Sequence, residues 1–232
     1  VVGASANPAK VGYALVRNLL FGRMHGAEDR DQGFKGPVYP VNYKGGELLG
    51  EKVYASLAEI GRPIDLMVVA IPPKYITGLM DEAAAAGVKN AIIISAGFAE
   101  MGEEGKALQD EMLGRARAHG IRLVGPNCLG IIRPRNQLNA SFAESPPPAG
   151  GIGLLSQSGA LITGIISYAE REQFGLSAAV SLGSKADVED EDIVRWYADD
   201  PETVAVALYV EAFTEPRAFF DAARELAASK PV

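Results

Sequence analysis

Three kinds of stretch in this chain carry residue types that could do chemistry. The first is Gly3-Ala4-Ser5-Ala6-Asn7-Pro8-Ala9-Lys10-Val11-Gly12, set between an apolar run and an amphipathic one. In a parallel α/β sheet, ligands bind at the carboxyl ends of the strands, and a helix N-terminus there favours phosphate. Gly3 allows a tight turn, Ser5 and Lys10 can reach phosphate oxygens, and Gly12 lets the following helix pack closely. The second is Ser156-Gln157-Ser158-Gly159-Ala160, which follows an apolar run at 152–155 and opens a helix. Free N–H groups and the positive end of that helix would face a dianion. Ser158 acting only as an N-cap would leave the same pattern. The third kind is a pair of loops at expected strand ends, Ile71-Pro72-Pro73 and Ser95-Ala96-Gly97-Phe98. They read either as punctuation by Pro and Gly or as the lining of a crevice for a long cofactor; Pro73 also suits the first turn of a helix.

The glycine turn is not the G-x-G-x-x-G of dinucleotide enzymes. Those enzymes also carry an acidic residue about 20 positions on, at the end of the second strand, to hold the ribose 2′-hydroxyl. Here that strand runs into Pro40-Val41-Asn42-Tyr43-Lys44-Gly45-Gly46, with a lysine and no carboxylate. A lysine there suits a ligand with an extra ribose phosphate, and coenzyme A and NADP both qualify. Residues 1–46 hold six basic groups against three acidic ones, inside a chain of net charge −7. An ordinary solvated loop would carry a similar surplus.

The remaining reactive residues offer less. Cys128 is the only cysteine, which excludes an internal disulfide framework. No histidine is near it in sequence to activate a thiol nucleophile. His25 sits in a polar loop, and His119 ends a helix before Gly120, where it complements the helix dipole. The run 185–202 holds eight carboxylates against Lys185 and Arg195 and reads as a solvated helix N-terminus. No metal-ligand spacing is present.

The elements that must position these residues alternate. Strands are expected at 1–4, 38–41, 66–71, 91–95 and Arg122–Val124, with helices at Val11–Phe21, 73–86 and Glu103–Ala118 between them. This alternation implies βαβ units and a parallel sheet. The Pro/Gly cluster 145–151 reads as a stiff extended connector. After it come strands at 152–155, 178–181 and 204–209, with helices at Gly159–Glu172, 190–198 and 216–228. A boundary is expected at 147/148, dividing the chain into 1–147 and 148–232, the second unit with an incomplete sheet. The chain opens on the end of a strand and stops at the start of another, so both ends are expected to continue in a longer protein. Of its 232 residues 48% are hydrophobic and 22% charged, ordinary values for a globular protein. No basic stripe marks a nucleic-acid binder. No apolar run approaches the ~18 residues of a membrane span, and no signal peptide is visible. The expectation is a cytoplasmic protein.

Taken together, VVGASANPAKVG, VYPVNYKGGELLGEKVYASL, DLMVVAIPP, AIIISAGFAE, GPNCLGI, GLLSQSGAL and VSLGSKADVEDEDIVRWYADDP resemble the nucleoside-diphosphate-forming acyl-CoA synthetases. The segments are similar to the succinyl-CoA synthetase alpha subunit, and more so to ADP-forming acetyl-CoA synthetases. They run in family order over essentially the whole chain. The resemblance implies a Rossmann-like parallel-sheet CoA-binding domain followed by a partial flavodoxin-like α/β domain. It implies formation of acyl-CoA from an acid, CoA and a nucleoside triphosphate through a phosphorylated histidine. It implies CoA held by Gly3, Ser5, Lys10, Gly12, Val41, Asn42, Lys44, Ile71, Pro72, Pro73, Ser95, Gly97 and Phe98, with Asn127 and Cys128 at the thiol end. Ser156, Gln157, Ser158, Gly159 and Ala160 would hold phosphate or phosphohistidine, and Glu211 would orient that histidine. The histidine itself, and the ATP-grasp domain or subunit that brings ATP or ADP with Mg2+, lie outside this sequence. The chain alone is thus expected to bind CoA or acyl-CoA, to assemble into an oligomer and not to complete the reaction. Two other readings compete: a regulatory CoA-sensing module of a protein lysine acetyltransferase, and an NADP-dependent oxidoreductase.

Overall fold

The computed structural model describes all 232 residues. Six α-helices are separated by short strands: α1 (Val11–Phe21), α2 (Ile76–Ala85), α3 (Glu103–Ala118), α4 (Gly159–Glu172), α5 (Asp190–Asp199) and α6 (Pro216–Ala227). None is long and apolar enough to cross a membrane.

The first sheet has a parallel centre, β3 (Met67–Val69), β4 (Asn90–Ile93) and β5 (Arg122–Val124). The strands expected at 1–4 and 38–41 are reduced to bridges, Val2 with Val69 and Val41, and Val41 with Tyr54. Pro37 and Pro40 have no N–H to give to a ladder, so the second of these strands cannot be regular. Pairing still continues outward: Val2 N donates to Val68 O at 2.8 Å and Gly3 N to Val41 O at 3.0 Å. A hairpin at the margin, β1 (Gly46–Leu48) with β2 (Glu51–Val53), lay outside the expected elements.

Side chains alternate across this sheet with the period of a strand. Val68 and Ile92 pack with Leu15, Val16 and Leu20 of α1. Met67, Val69, Ala91 and Ile93 pack with Met80 of α2 and Met112 of α3 on the other face. Both faces are covered, which is why these strands read as continuous apolar runs rather than alternating ones.

The second sheet has the order β10-β8-β9-β6-β7, from β6 (Gly130–Arg133), β7 (Leu138–Ser141), β8 (Ala149–Ser156), β9 (Leu176–Ser181) and β10 (Ala205–Tyr209). β10, β8 and β9 are parallel; β6 runs antiparallel to β9 and β7. Leu154, Ala179 and Ile162 of α4 form one core layer; Leu155, Val180, Tyr197 of α5 and Phe219 of α6 form the other.

Two expectations change here. The cluster 145–151 is not all connector, because β8 begins at Ala149. β6 and β7 precede residue 148, yet they extend the second sheet. β7 also carries the tie back to the first sheet: Asn18 Nδ2 on α1 donates to Ser141 O and Ala143 O, both at 2.8 Å, and Asn139 Nδ2 donates to Gly22 O at 2.9 Å. All three contacts join residues more than a hundred positions apart in the chain.

Candidate functional site

Two adjacent clefts lie at the carboxyl ends of the parallel strands of the two sheets. The outer cleft, about 920 Å³, is lined by Gly3, Ser5, Lys10, Gly12, Val41, Asn42, Ile71 and Pro72, together with Tyr43, Tyr75 and Glu82. The inner cleft, about 880 Å³, is lined by Ile71, Pro72, Pro73, Ser95, Asn127, Cys128, Gln157, Ser158, Gly159, Ala160 and Glu211, with Phe142 and Thr163. Val11, Ala70, Ile71 and Pro72 border both. The two clefts are therefore neighbours with a common wall, and residues as far apart as Gly3 and Glu211 line the pair.

At the outer end, local sequence dictates the geometry. A Cβ on Gly12 would overlap the carbonyl oxygen of Gly3, and one on Gly3, whose φ is 97°, would overlap that of Ala70. Both glycines are therefore required for α1 to start directly against the strand ends. Asn42 joins two loops: its Nδ2 donates to Ala4 O at 2.8 Å, and its Oδ1 accepts from Lys44 N at 3.0 Å. Both polar ends of this side chain serve the scaffold.

At the inner end, Ser95 Oγ donates to Ile71 O at 2.6 Å, and Asn127 N donates to Ser95 O at 3.0 Å, linking three strand-end loops. Asn127 is exposed with φ 56°. Cys128 is 4% exposed, and its Sγ donates to Ile93 O at 3.4 Å. Burial pushes its thiol up to about 12, which makes it a poor nucleophile.

The β8–α4 turn presents the start of a helix. Ser156 Oγ accepts from Ser158 N at 3.0 Å and donates to Ser158 O at 2.9 Å, and Ser158 Oγ caps α4 by accepting from Leu161 N. Gly159 and Ala160 lie in the first turn, where N–H groups have no intrahelical acceptor. Beside them, Gln157 Oε1 accepts from Glu211 N at 3.0 Å and Ala212 N at 3.1 Å, while its Nε2 donates to Ala212 O at 2.9 Å and to the Asp190 carboxylate.

Some expected residues stand elsewhere. Phe98 is fully buried in the core with Met112, so it packs and does not face the groove. Ser156 is fully buried and acts on the turn, not on the cleft. Gly97, at φ 106°, gives its N–H to Glu100 Oε1 and lies off the cleft wall. Lys44 is exposed and lines neither cleft; its Nζ stands 5.7 Å from the centre of the ring of Tyr43, which does line the outer one. His25 is exposed, and His119 pairs with Asp81 at 2.9 Å; neither borders a cleft.

The acidic run is not simply a solvated face. Asp190 is buried and pairs with Lys185 at 2.7 Å. Asp187 accepts from Arg122 Nε at 2.8 Å and from Leu123 N at 3.0 Å, and Asp200 pairs with Arg133 at 2.8 Å. Sequence reasoning missed the pairs with Arg122 and Arg133 because those partners lie on other elements, on β5 and β6. For Asp190 a signal was available in Lys185, the lysine that opens the run five positions before it.

Comparison with known proteins finds two family matches along the chain. Residues 1–134 match the CoA binding domain, and residues 149–232 match the succinyl-CoA ligase like flavodoxin domain. The alpha subunit of acetate–CoA ligase [ADP-forming] I from Pyrococcus furiosus is 39% identical over all of this chain and 49% of its own length. A trans-feruloyl-CoA synthase from an unknown prokaryotic organism is 38% identical over all of this chain and 32% of its own length. An acetyl-coenzyme A synthetase 1 from Ca. Korarchaeum cryptofilum, solved in complex with phosphate and ADP, superposes with a TM-score of 0.91 at 36% identity, over the whole chain and 48% of that structure. The chain spans half or less of the length of each of these relatives.

Proposed function

We propose, from the premise that this chain belongs to the NDP-forming acyl-CoA synthetase family and carries its CoA-binding domain, that it forms the part of such a ligase that holds CoA at one end of a groove and phosphate at the other. The observation that carries this reading is that the two clefts lie side by side and share Ile71 and Pro72 as a common wall. One end offers Ser5, Lys10 and the start of α1 to a nucleotide. The other offers the rim at Asn127 and Cys128 and the start of α4. A nucleotide with a long thiol-bearing arm has those two ends, and CoA is such a molecule.

The residues present fit that ligand. Gly3 and Gly12 keep the start of α1 free of side chains, as close approach to a pyrophosphate requires. Lys10 lines the outer cleft, and Lys44 follows Tyr43 of its lining on an exposed loop, so two cations are available for phosphates. Bound CoA supplies the thiol that takes up the acyl group. The chain's own residues bind and orient. Asn42 locks the first two strand-end loops together, Ser95 links the third and fourth, and the first turn of α4 offers N–H groups to a dianion.

In this reading residues 1–147 hold CoA and residues 148–232 hold phosphate, with β6 and β7 lent to the second sheet. The reaction of the whole enzyme joins an acid, CoA and ATP to give acyl-CoA, ADP and phosphate through a phosphohistidine. That histidine, ATP with Mg2+ and the acid come to the groove with an ATP-grasp domain or subunit outside residues 1–232, in a cytoplasmic oligomer. Glu211, held by Gln157 at the inner cleft, orients the histidine. Nothing in the matches supports the regulatory-module reading.

The test is calorimetric titration of the chain with CoA, dephospho-CoA and NADPH. CoA binds; it binds more weakly without its 3′-phosphate; and Lys44→Ala removes about that same difference. Heat from NADPH with none from CoA would sink the reading.

A further inference from the structure

We propose that Lys185 and Asp190 are positioning residues for the phosphate end of the groove. They act through Gln157 and the backbone of Glu211 and Ala212, without touching a ligand. The inference rests on the phosphate-binding reading above and names what holds that site in shape.

Three loops leave the carboxyl ends of the parallel strands β8, β9 and β10. Gln157 lies on the first, Lys185 on the second, and Glu211 and Ala212 on the third, with Asp190 opening α5. Four hydrogen bonds close a ring between them. Lys185 Nζ donates to Asp190 Oδ2 at 2.7 Å and to Ala212 O at 2.8 Å; Gln157 Nε2 donates to Ala212 O at 2.9 Å and to Asp190 Oδ2 at 2.9 Å.

The ring determines how the Gln157 amide must face. Its nitrogen meets only acceptors, Asp190 and Ala212 O, and its oxygen meets only donors, the N–H groups of Glu211 and Ala212. Turning the amide over would set donor against donor and acceptor against acceptor. Gln157 and Glu211 both line the inner cleft, together with Gly159 and Ala160 of the first turn of α4. The lysine and the aspartate do not line it. Their side chains are 8% and 2% exposed, and Lys185 adopts a left-handed backbone, φ 50°, to bring its ammonium there.

An ion pair so far out of water is costly to assemble unless its other hydrogen bonds are satisfied. Here both partners make hydrogen bonds to the Gln157–Ala212 ring, and Lys185 Nζ also stands 3.8 Å from Glu189 Oε2. Such an arrangement holds a loop in one place more firmly than it stabilises the fold as a whole.

The experiment is to prepare Lys185→Met, Asp190→Asn and Lys185→Arg in the full chain. Inorganic phosphate binding is followed by phosphorus NMR, and CoA binding by calorimetry. Loss of either partner should weaken phosphate binding about tenfold, the scale of one lost supporting hydrogen bond. CoA affinity should stay within about twofold, since RT ln 2 is below 0.5 kcal/mol. Lys185→Arg should restore most of the phosphate affinity. If a single variant does not fold, Lys185→Met combined with Asp190→Leu and Glu189→Gln removes the pair together with the Glu189 carboxylate that also faces Lys185, and serves in its place. Folded variants that bind phosphate like the parent overturn the inference alone. Variants that lose CoA and phosphate in parallel overturn it too, because the effect is then general. A parent chain that binds CoA but no phosphate overturns the phosphate end of the proposed function, and this inference with it.

Discussion

The amide of Gln157 and the carboxylate of Asp190 face each other at 2.9 and 3.0 Å, although 33 residues separate them in the chain. Gln157 opens the turn before α4, and Asp190 opens α5. Their contact sets the starts of two helices side by side at the carboxyl edge of one sheet. It works only while the side chain at 157 has a nitrogen to donate.

Gln157→Glu should therefore destabilise the chain at neutral pH, by about 1–3 kcal/mol for an unpaired buried polar group. The new carboxylate would face Asp190 and the Ala212 carbonyl, so its pKa would rise above the unfolded value. Stability is then lost as pH rises through that raised value and recovered as pH falls below it. Thermal unfolding across pH 4–7, against the parent, measures this. A difference that does not change with pH would contradict the placement of the amide.

Gly12→Ala should close the start of α1. The added methyl overlaps the Gly3 carbonyl oxygen, which belongs to backbone and cannot swing aside. Overpacking of this kind costs about 1–3 kcal/mol. We expect a lower melting temperature and a sharp loss of CoA affinity together. A variant of unchanged stability would show that α1 can move outward freely.

Cys128 should be inert in the folded chain. With the thiol pushed up to about 12, its thiolate fraction at pH 8 is about a thousandfold below that of a free cysteine. Alkylation by iodoacetamide should be undetectable in native buffer and complete in denaturant. Rapid native labelling, or complete loss of CoA binding in Cys128→Ala, would point to a reactive role that the geometry does not provide.

Asp187→Ala should loosen the two sheets from each other. Its buried carboxylate accepts from Arg122 Nε and from the backbone of Leu123, both on β5, while Asp187 itself lies in the loop before α5. Loss of a charge-assisted pair of this kind costs about 1–3 kcal/mol. Hydrogen exchange should speed up at Leu123 and around 183–188. Unaltered exchange there would show that the remaining backbone bonds suffice.

Much of this architecture was legible in the residues alone. Helices α1, α3 and α4 lie where the apolar period and the punctuation by Gly and Pro set them. Those signals are local, because each residue's face is decided by neighbours three or four positions away. The glycine turn at 3–12 and the SQSGA turn were readable for the same reason: a close backbone approach needs Gly, and a helix start favours Ser. What tertiary structure decided is pairing at long range. Sequence alone did not show that β6 and β7 join the second sheet, since a strand's partner leaves no mark in its own composition. Nor did it separate Phe98 and Ser156, which turn inward, from Asn127, which turns out. The acidic run shows the limit most clearly. Charge count marks such a run as solvated, and only the fold brings Arg122 and Arg133 to its aspartates, because burial of a charge depends on a partner that the local sequence does not name.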